Sequence, residues 1–538
     1  MIKFINKIEI NHLVLFVLIF AIISCKNEAE KNRDHLVFRY NEHANITSLD
    51  PAFAKDQRNI WPCNQLYNGL VQLDDSLNIQ PDLAKKWIIS EDAKTYTFFL
   101  RDDVYFHKHK IFGKNKTRKV VAEDVVFSLK RLTDSKIASP GSWVMQNVAN
   151  ISAENDSIVK IELSHAFPAF LGLLSMKYCS VIPTEMEELD FRENPIGTGP
   201  FKFKRWEANE KLVFRKNNLY FEKDKNGEQL PYLEAVAITF LPDKQSEFLQ
   251  FAQGNIDFLS GLDPSYKDEL LSVRGKLREK YASRVNMLTA PYLNTEYLGI
   301  YLDSKTEEVN SQKIRQAINY GFNRETMITY LRNGIGTPAN HGFIPKGLPG
   351  FSSETYYDYN PEKAKKLIND YKKSSGNANP EISISTNAQY LDLCEYIQRE
   401  LQKIGLTVNI DVMPPSTLRQ QRSTGKLDVF RASWIADYPD AENYLSLFYS
   451  ENFSPNGPNY THFKNKTFDK LYEKAINTSS TEKRVLLYKK MDSVVMKNAP
   501  VVPLYYDEVV RFSQKNVNGL GINPINLLDL KLVKKVKN

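Results

Sequence analysis

After MLTAPYL, 287–293, the hydrophobic pattern of this chain changes period, and that change limits its architecture more than any other feature. Before it, apolar residues recur mainly at every second position. In LAKKWIISEDAKTYTFFLRDDVYFH, Tyr96, Phe98 and Leu100 alternate with polar residues, and Val104 and Phe106 do so again after the Arg101-Asp102-Asp103 turn. A period of two puts one face of a strand against a core, so this region predicts a β meander. After MLTAPYL, strand-like and helix-like segments take turns. ISISTN reads as a strand. YLDLCEYIQRELQKIG reads as a helix, with Leu391, Cys394, Ile397, Leu401 and Ile404 on one stripe and Gly405 as its stop. LTVNIDV and LDVFRAS read as strands on either side of the helical STLRQQRST, which completes a βαβ-type unit. At 538 residues the chain exceeds what one hydrophobic core supports. Two lobes follow, mostly β and then α/β, with NAPVVPLYYDEVV returning as a strand near the end.

The N-terminus predicts a processed leader. Lys3 and Lys7 precede an uncharged apolar run over 13–23, which has the length of a signal-peptide core and is too short to span a bilayer comfortably. Ile22-Ile23-Ser24-Cys25 resembles a bacterial lipobox. Cys25 is therefore the expected lipid-modified first residue, 1–24 the leader and 25–34 a polar tether. The expected location is the outer side of a bacterial membrane, held by that lipid. The formal charge of +7 is spread along the chain with no basic block, which argues against nucleic acid as a partner. Cys63, Cys179 and Cys394 lack CxxC spacing and are expected as buried thiols. No cofactor is expected. His107 and His109 form an HxH pair without a third ligand at useful spacing, so exposed histidines on a basic hairpin are expected and no metal site. No GxSxG, HExxH, P-loop or GxGxxG stands in strand–helix context, which leaves an exported hydrolase without a nucleophile or a metal motif.

The stretch RASWIADYPDAEN, 431–443, follows the last strand of the βαβ unit, where ligand sites of α/β folds tend to lie. Pro439 biases Tyr438 to an extended conformation. Asp440 then stands before AENYLSLFYS, whose Tyr444, Leu445, Leu447 and Phe448 have helical spacing, so Asp440 is expected as a helix N-cap. A hydrolytic Asp437/Asp440 dyad would need one carboxyl raised by its neighbour, whereas a capping aspartate stays ionised.

Seven segments in order resemble the family 5 extracellular solute-binding proteins, the peptide/nickel-type receptors of ABC importers. They are LAKKWIISEDAKTYTFFLRDDVYFH, AEDVVFSLKR, NPIGTGPFKFKRW, IRQAINYGFNRETMI, PEKAKKLI, DVFRASWIADYPDAENYL and APVVPLYY. Val121 departs from the family, which commonly has a capping threonine there. The resemblance implies an α/β fold of the type II periplasmic-binding-protein kind, in its large cluster C form with an extra subdomain. Lobe I would be 35–288 plus 500–538 with an insertion near 70–190, and lobe II 289–499, joined by a two-strand hinge. It implies a monomeric receptor that takes peptides, oligopeptides above all, in the cleft and passes them to ABC permease subunits. Asp437, three residues after Trp434, matches the aspartate that pairs with the ligand α-ammonium. Arg431 matches an arginine that can face the ligand carboxylate; an internal salt bridge is the equal alternative. Trp434 either walls a pocket or packs at the lobe interface. STNAQY, 385–390, lacks the arginine of dipeptide-type relatives, which puts a dipeptide-only specificity in doubt. Tyr438, Asn41 and Tyr67 are further candidates for the ligand cleft, and Gly197 and Gly199 are expected to shape a turn on the lobe I side. A non-peptide solute such as a metal chelate or an oligosaccharide, or a signalling role on the same fold, stays open.

Overall fold

The computed structural model describes residues 36–263 and 265–537. The leader, the tether and Cys25 lie outside the described residues. Fourteen strands carry the fold. They are β1 (Val37–Asn41), β2 (Ala84–Ile89), β3 (Thr95–Leu100), β4 (Val148–Asn155), β5 (Ile158–Leu163), β6 (Phe201–Glu207), β7 (Lys211–Lys216), β8 (Ala235–Thr239), β9 (Phe258–Ser260), β10 (Val285–Ile300), β11 (Glu381–Thr386), β12 (Thr407–Val412), β13 (Val429–Ile435) and β14 (Val501–Gln514).

The large sheet runs β12-β11-β13-β10-β14-β9-β1-β8-β7-β6, and β2-β3-β5-β4 make a separate antiparallel sheet. In the first, β11 pairs in parallel with both β12 and β13, through helices 391–403 and 415–423. The period read from the sequence is met there: Leu393, Cys394, Ile397 and Leu401 are buried on the first helix. Helix 361–375 starts with Pro361, is capped by Asn360 and stops at Gly376 in the left-handed region.

Two long strands cross between the cores. β10 pairs with β14 from Val285 to Gly299, and the register shifts between Pro291 and Thr295. Leu293 and Leu298 pack in the core of lobe II, whereas Leu288 packs against that of lobe I. A boundary was expected at 500, which is the start of β14. Val501, Val502, Leu504 and Tyr505 still belong to the lobe II core, and the strand changes core between Tyr505 and Val510. β14 pairs with the lobe II part of β10 before it reaches β9.

The sequence expectation fails at His107, which is buried at 3% exposure. The turn at 197–199 covers it. Gly197 N donates to His107 Nδ1 (3.2 Å), which leaves Nε2 to donate to the Gly199 carbonyl (3.1 Å). Burial holds this imidazole down at about 4, the Gly199 carbonyl opposing, so it is neutral. His109 is half-buried, with Nε2 3.1 Å from Asn194 Oδ1. The missing cap at Val121 is partly replaced, since the Asp124 carboxylate accepts from Val121 N (2.9 Å). Cys63, Cys179 and Cys394 are free and buried.

Gly199 admits no side chain. A Cβ there would lie 2.4 Å from the Leu66 carbonyl carbon and 2.6 Å from the Gln65 oxygen, at the end of helix 57–66. Gly199→Ala is expected to cost roughly 2 kcal/mol or more, read as a lower melting temperature; an unmoved transition would contradict this packing. Asp492 tests burial of charge. It is inaccessible, Oδ1 accepts from Phe343 N (2.9 Å), Oδ2 has no partner, and burial raises the carboxyl to about 7. Between the unfolded value near ~4 and 7 the folded chain holds a proton that the unfolded chain has released, so stability from this group falls as pH rises through that window. Asp492→Asn should gain on the native chain by about 2–4 kcal/mol between pH 4.5 and 8, measured as the difference in melting behaviour.

Candidate functional site

The βαβ unit ends two parallel strands side by side and puts their carboxyl ends toward the cleft. β11 leads into the turn Ala388–Tyr390, and β13 leads into the acidic loop. Such an edge, outside the carboxyl ends of parallel strands, suits a ligand.

The two aspartates of the loop differ in their partners. Asp440 Oδ1 accepts from Glu442 N (2.9 Å), its carbonyl accepts from Asn443 N (3.1 Å), and Oδ2 lies 3.6 Å from Arg484 Nη2. The helix it was expected to cap is shorter than its apolar spacing suggests. It has one α turn, Glu442–Leu445, and one tighter turn, Ser446–Phe448, and Ala441 occupies the cap position. Asp440 therefore closes the turn one residue early, still binding a first-turn N–H. Asp437 is exposed to solvent and has no ion pair among the described residues. Desolvation by the surrounding protein nevertheless raises its carboxyl, with the Asn443 side chain opposing. Its charge also reaches Tyr178, on the inserted subdomain of lobe I. Trp434 is half-buried and donates from Nε1 to Asn443 Oδ1 (2.8 Å); the same oxygen lies 3.4 Å from Asp437 N. Asn443 thus shapes the anchor loop.

Arg431 resolves toward its internal alternative. It lies across from Leu298 on β10, one diagonal step from Glu296 on the same face, and its guanidinium bonds Glu296. Both side chains are buried, at 9% and 3% exposure. Tyr390 lies flat on the guanidinium, 3.1 Å from ring centre to carbon. Burial disfavours the Arg431 charge, but the Glu296 carboxylate outweighs it and the pKa is raised. A second pair, Arg332 with Asp507, adjoins the first through Asn294, whose Nδ2 is 3.2 Å from Glu296 Oε1 and 3.4 Å from Asp507 Oδ2. Neither arginine is left without a carboxylate.

Three candidates take other positions. Tyr67 is buried, donates its hydroxyl to the Leu49 carbonyl (2.8 Å), and belongs to the lobe I core. Asn41 borders a cavity, but its amide is spent on the Leu241 N–H (2.7 Å), the Leu241 carbonyl (3.0 Å) and Thr239 Oγ1 (3.1 Å). Tyr438 points away from the cleft into lobe I, beside Trp143 and Phe167, while its hydroxyl bonds Glu442. Strand-like alternation sends Tyr438 opposite to Asp437, which explains the inversion. Pro439 packs near Gly172 of lobe I, where a Cβ would be 3.5 Å from its Cδ. Gly197 and Gly199 serve the turn over helix 57–66 and its close approach.

A cavity of about 300 Å³ lies between the end of β1, helix 244–252, the hinge strands, Arg332 and Tyr390. Its polar lining includes Glu42, Lys244, Glu247, Asp507 and Glu508. None of these, nor Glu296, Arg332 and Asn443, was legible as a site residue. A solitary acid inside an apolar strand, as at Glu296 in PYLNTEYLGIYL, was the available signal.

A family model described as bacterial extracellular solute-binding proteins, family 5, middle, matches residues 78–456. The dipeptide-binding protein of Escherichia coli (strain K12) is 26% identical over 487 residues, covering 86% of this chain and 87% of its own length. Heme-binding protein A of Haemophilus influenzae is 29% identical over 469 residues, covering 82% and 81%. Among solved structures, the ABC transporter-associated periplasmic binding protein DppA of Helicobacter pylori, in complex with the peptide STSA, aligns with a TM-score of 0.76 at 26% identity, covering 93% of this chain and 98% of that one.

The ion pair sets the expected response of Arg431. Arg431→Met leaves Glu296 buried and unpaired and should cost about 3 kcal/mol or more; Arg431→Met with Glu296→Leu should recover much of it. Unfolding of the two single variants and the double variant measures the coupling, and additive losses would show that the two residues do not act as a pair.

Proposed function

The chain belongs to the bacterial extracellular solute-binding proteins of family 5, and on that premise we propose that it captures peptides through their free α-ammonium group, in the cleft between its lobes, for an ABC importer. It is a binding protein and not an enzyme. The observation that carries the peptide reading is the unpaired carboxylate of Asp437. Asp440, Glu296 and Asp507 each have an arginine, whereas Asp437 is exposed and has no ion pair among the described residues. A ligand ammonium supplies the missing charge, and a crowded, partly desolvated carboxylate gains more from it than one in open water. A peptide held in an extended conformation uses its own main chain for affinity, and hydrated side-chain pockets tolerate varied sequences. Differential affinity for the closed arrangement then drives lobe closure.

The leader sequence extends the reading to the membrane. Lipidated Cys25 would hold a monomeric receptor at the surface, the tether 25–34 would give it reach, and bound peptide would pass to the permease. Metabolic labelling with a fatty acid, lost on Cys25→Ser, tests the anchor.

Asp437→Asn should weaken binding of free-amino peptides by about 2 kcal/mol or more, on the order of thirtyfold in Kd. N-acetylated peptides should bind the native chain equally poorly and be indifferent to the substitution. Asp440→Asn should leave affinity nearly unchanged and lower the melting temperature, at a cost of about 1 kcal/mol. Calorimetric titration distinguishes the two variants; equal losses of affinity would refute the division of labour. Native mass spectrometry of protein purified without refolding should show co-purified peptides, and a heme or a single sugar in their place would overturn the ligand class.

A further inference from the structure

The cavity between the end of β1 and the hinge strands contains a carboxylate that the α-amine site does not use. Glu42 borders this space at 6% exposure, and its Oε1 is buried without a hydrogen-bond partner. A buried polar atom without a partner costs free energy unless something arrives to satisfy it. The surrounding charges do not supply that partner. Lys244 is committed to Glu247 at 2.7 Å, and Arg332 is committed to Asp507. Glu42 and Glu508 are left without an ion pair among the described residues, so the four carboxylates of the lining outnumber its two permanent cations. The hydroxyl of Tyr40, on β1 two residues before Glu42, is also buried and unpartnered among the described residues.

The remaining walls suit a long side chain with a cationic end. Trp61, Phe258 and Tyr292 present aromatic surface to the cavity. Aromatic faces accept an aliphatic stem and attract a cation. We propose that this cavity is a subsite for a lysine or arginine side chain of the bound peptide, with Glu42 as the residue that receives its charge. The inference rests on the peptide reading above and adds the side-chain class.

A proton is linked to this step. Burial raises the empty Glu42 carboxyl to about 8; Lys244 and Arg58 act to lower it, and Glu247 and Asp56 to raise it. At pH 7 the empty site therefore holds a proton on Glu42. An incoming ammonium or guanidinium favours the carboxylate, so that proton leaves to solvent as the ion pair forms. Binding of a basic peptide tightens as pH rises from 6 to 8, while binding of a neutral one is unaffected by this route.

Alanine tetrapeptides with a free amine, carrying one lysine, norleucine or glutamate at positions two to four in turn, test the subsite. Titrated into the native chain, the lysine peptide should bind at least about tenfold tighter than its norleucine counterpart at one position. The heat measured at pH 7 in two buffers of different ionisation enthalpy should show proton release for the lysine peptide alone. Glu42→Gln should abolish both the preference and the release while keeping the norleucine peptide's affinity. If norleucine and lysine bind alike at every position, the cavity holds water and the proposal falls, with peptide capture intact. If Glu42→Gln weakens all peptides equally, Glu42 is structural and the proposal also falls. If no tetrapeptide binds at all, the peptide reading fails and takes the subsite with it.

Discussion

Strands β10 and β14 stay hydrogen-bonded from Val285 to Gly299 while the core beneath them changes, so one antiparallel pair serves both lobes. The register shift between Pro291 and Thr295 falls where the strands leave lobe I and enter lobe II. Glu296 and Asp507 lie beside this crossing, and each is neutralised by an arginine of lobe II, Arg431 and Arg332. A charge left unpaired at such a buried place would oppose folding by several kcal/mol, so the pairing is a condition for the crossing. The hinge and the floor of the cleft are thus one electrostatic unit.

Once those pairs are made, the distribution of unpaired carboxylates defines the chemistry of the cleft. Asp437 on the lobe II side and Glu42 on the lobe I side are without cations among the described residues. Arginines that might have received a ligand carboxylate are already engaged. Tyr438 and Pro439 extend from the same loop as Asp437 and pack on the inserted subdomain, so the acidic loop of lobe II also touches the opposite lobe.

Local periodicity made much of the fold legible. The alternation of Tyr96, Phe98 and Leu100 and the stripe from Leu393 to Leu401 both survive as buried faces. The expected contact of Asp440 with a first-turn N–H was readable because a turn aspartate acts on N–H groups within three residues, although Ala441 takes the cap position itself. His107 was misread because its surroundings are distant in the chain. Its burial depends on Gly197 and Gly199, about 90 residues away, which fold over it. Glu442, at the start of the short helix after Asp440, bonds Tyr438 and Tyr472 in a buried cluster that apolar spacing does not reveal.

The sequence by itself determined the order of mostly-β and α/β lobes, the strand–helix unit that ends at the acidic loop, and the separation of Asp437 from Asp440 by a proline. These are consequences of side-chain period and turn chemistry, which act over a few residues. Only the tertiary structure decided which charges are free. Arg431 meets Glu296 across 135 positions and Arg332 meets Asp507 across 175. Ion pairing falls off with distance in space and is indifferent to distance along the chain, so no local pattern could assign those partners or show that Asp437 and Glu42 have none.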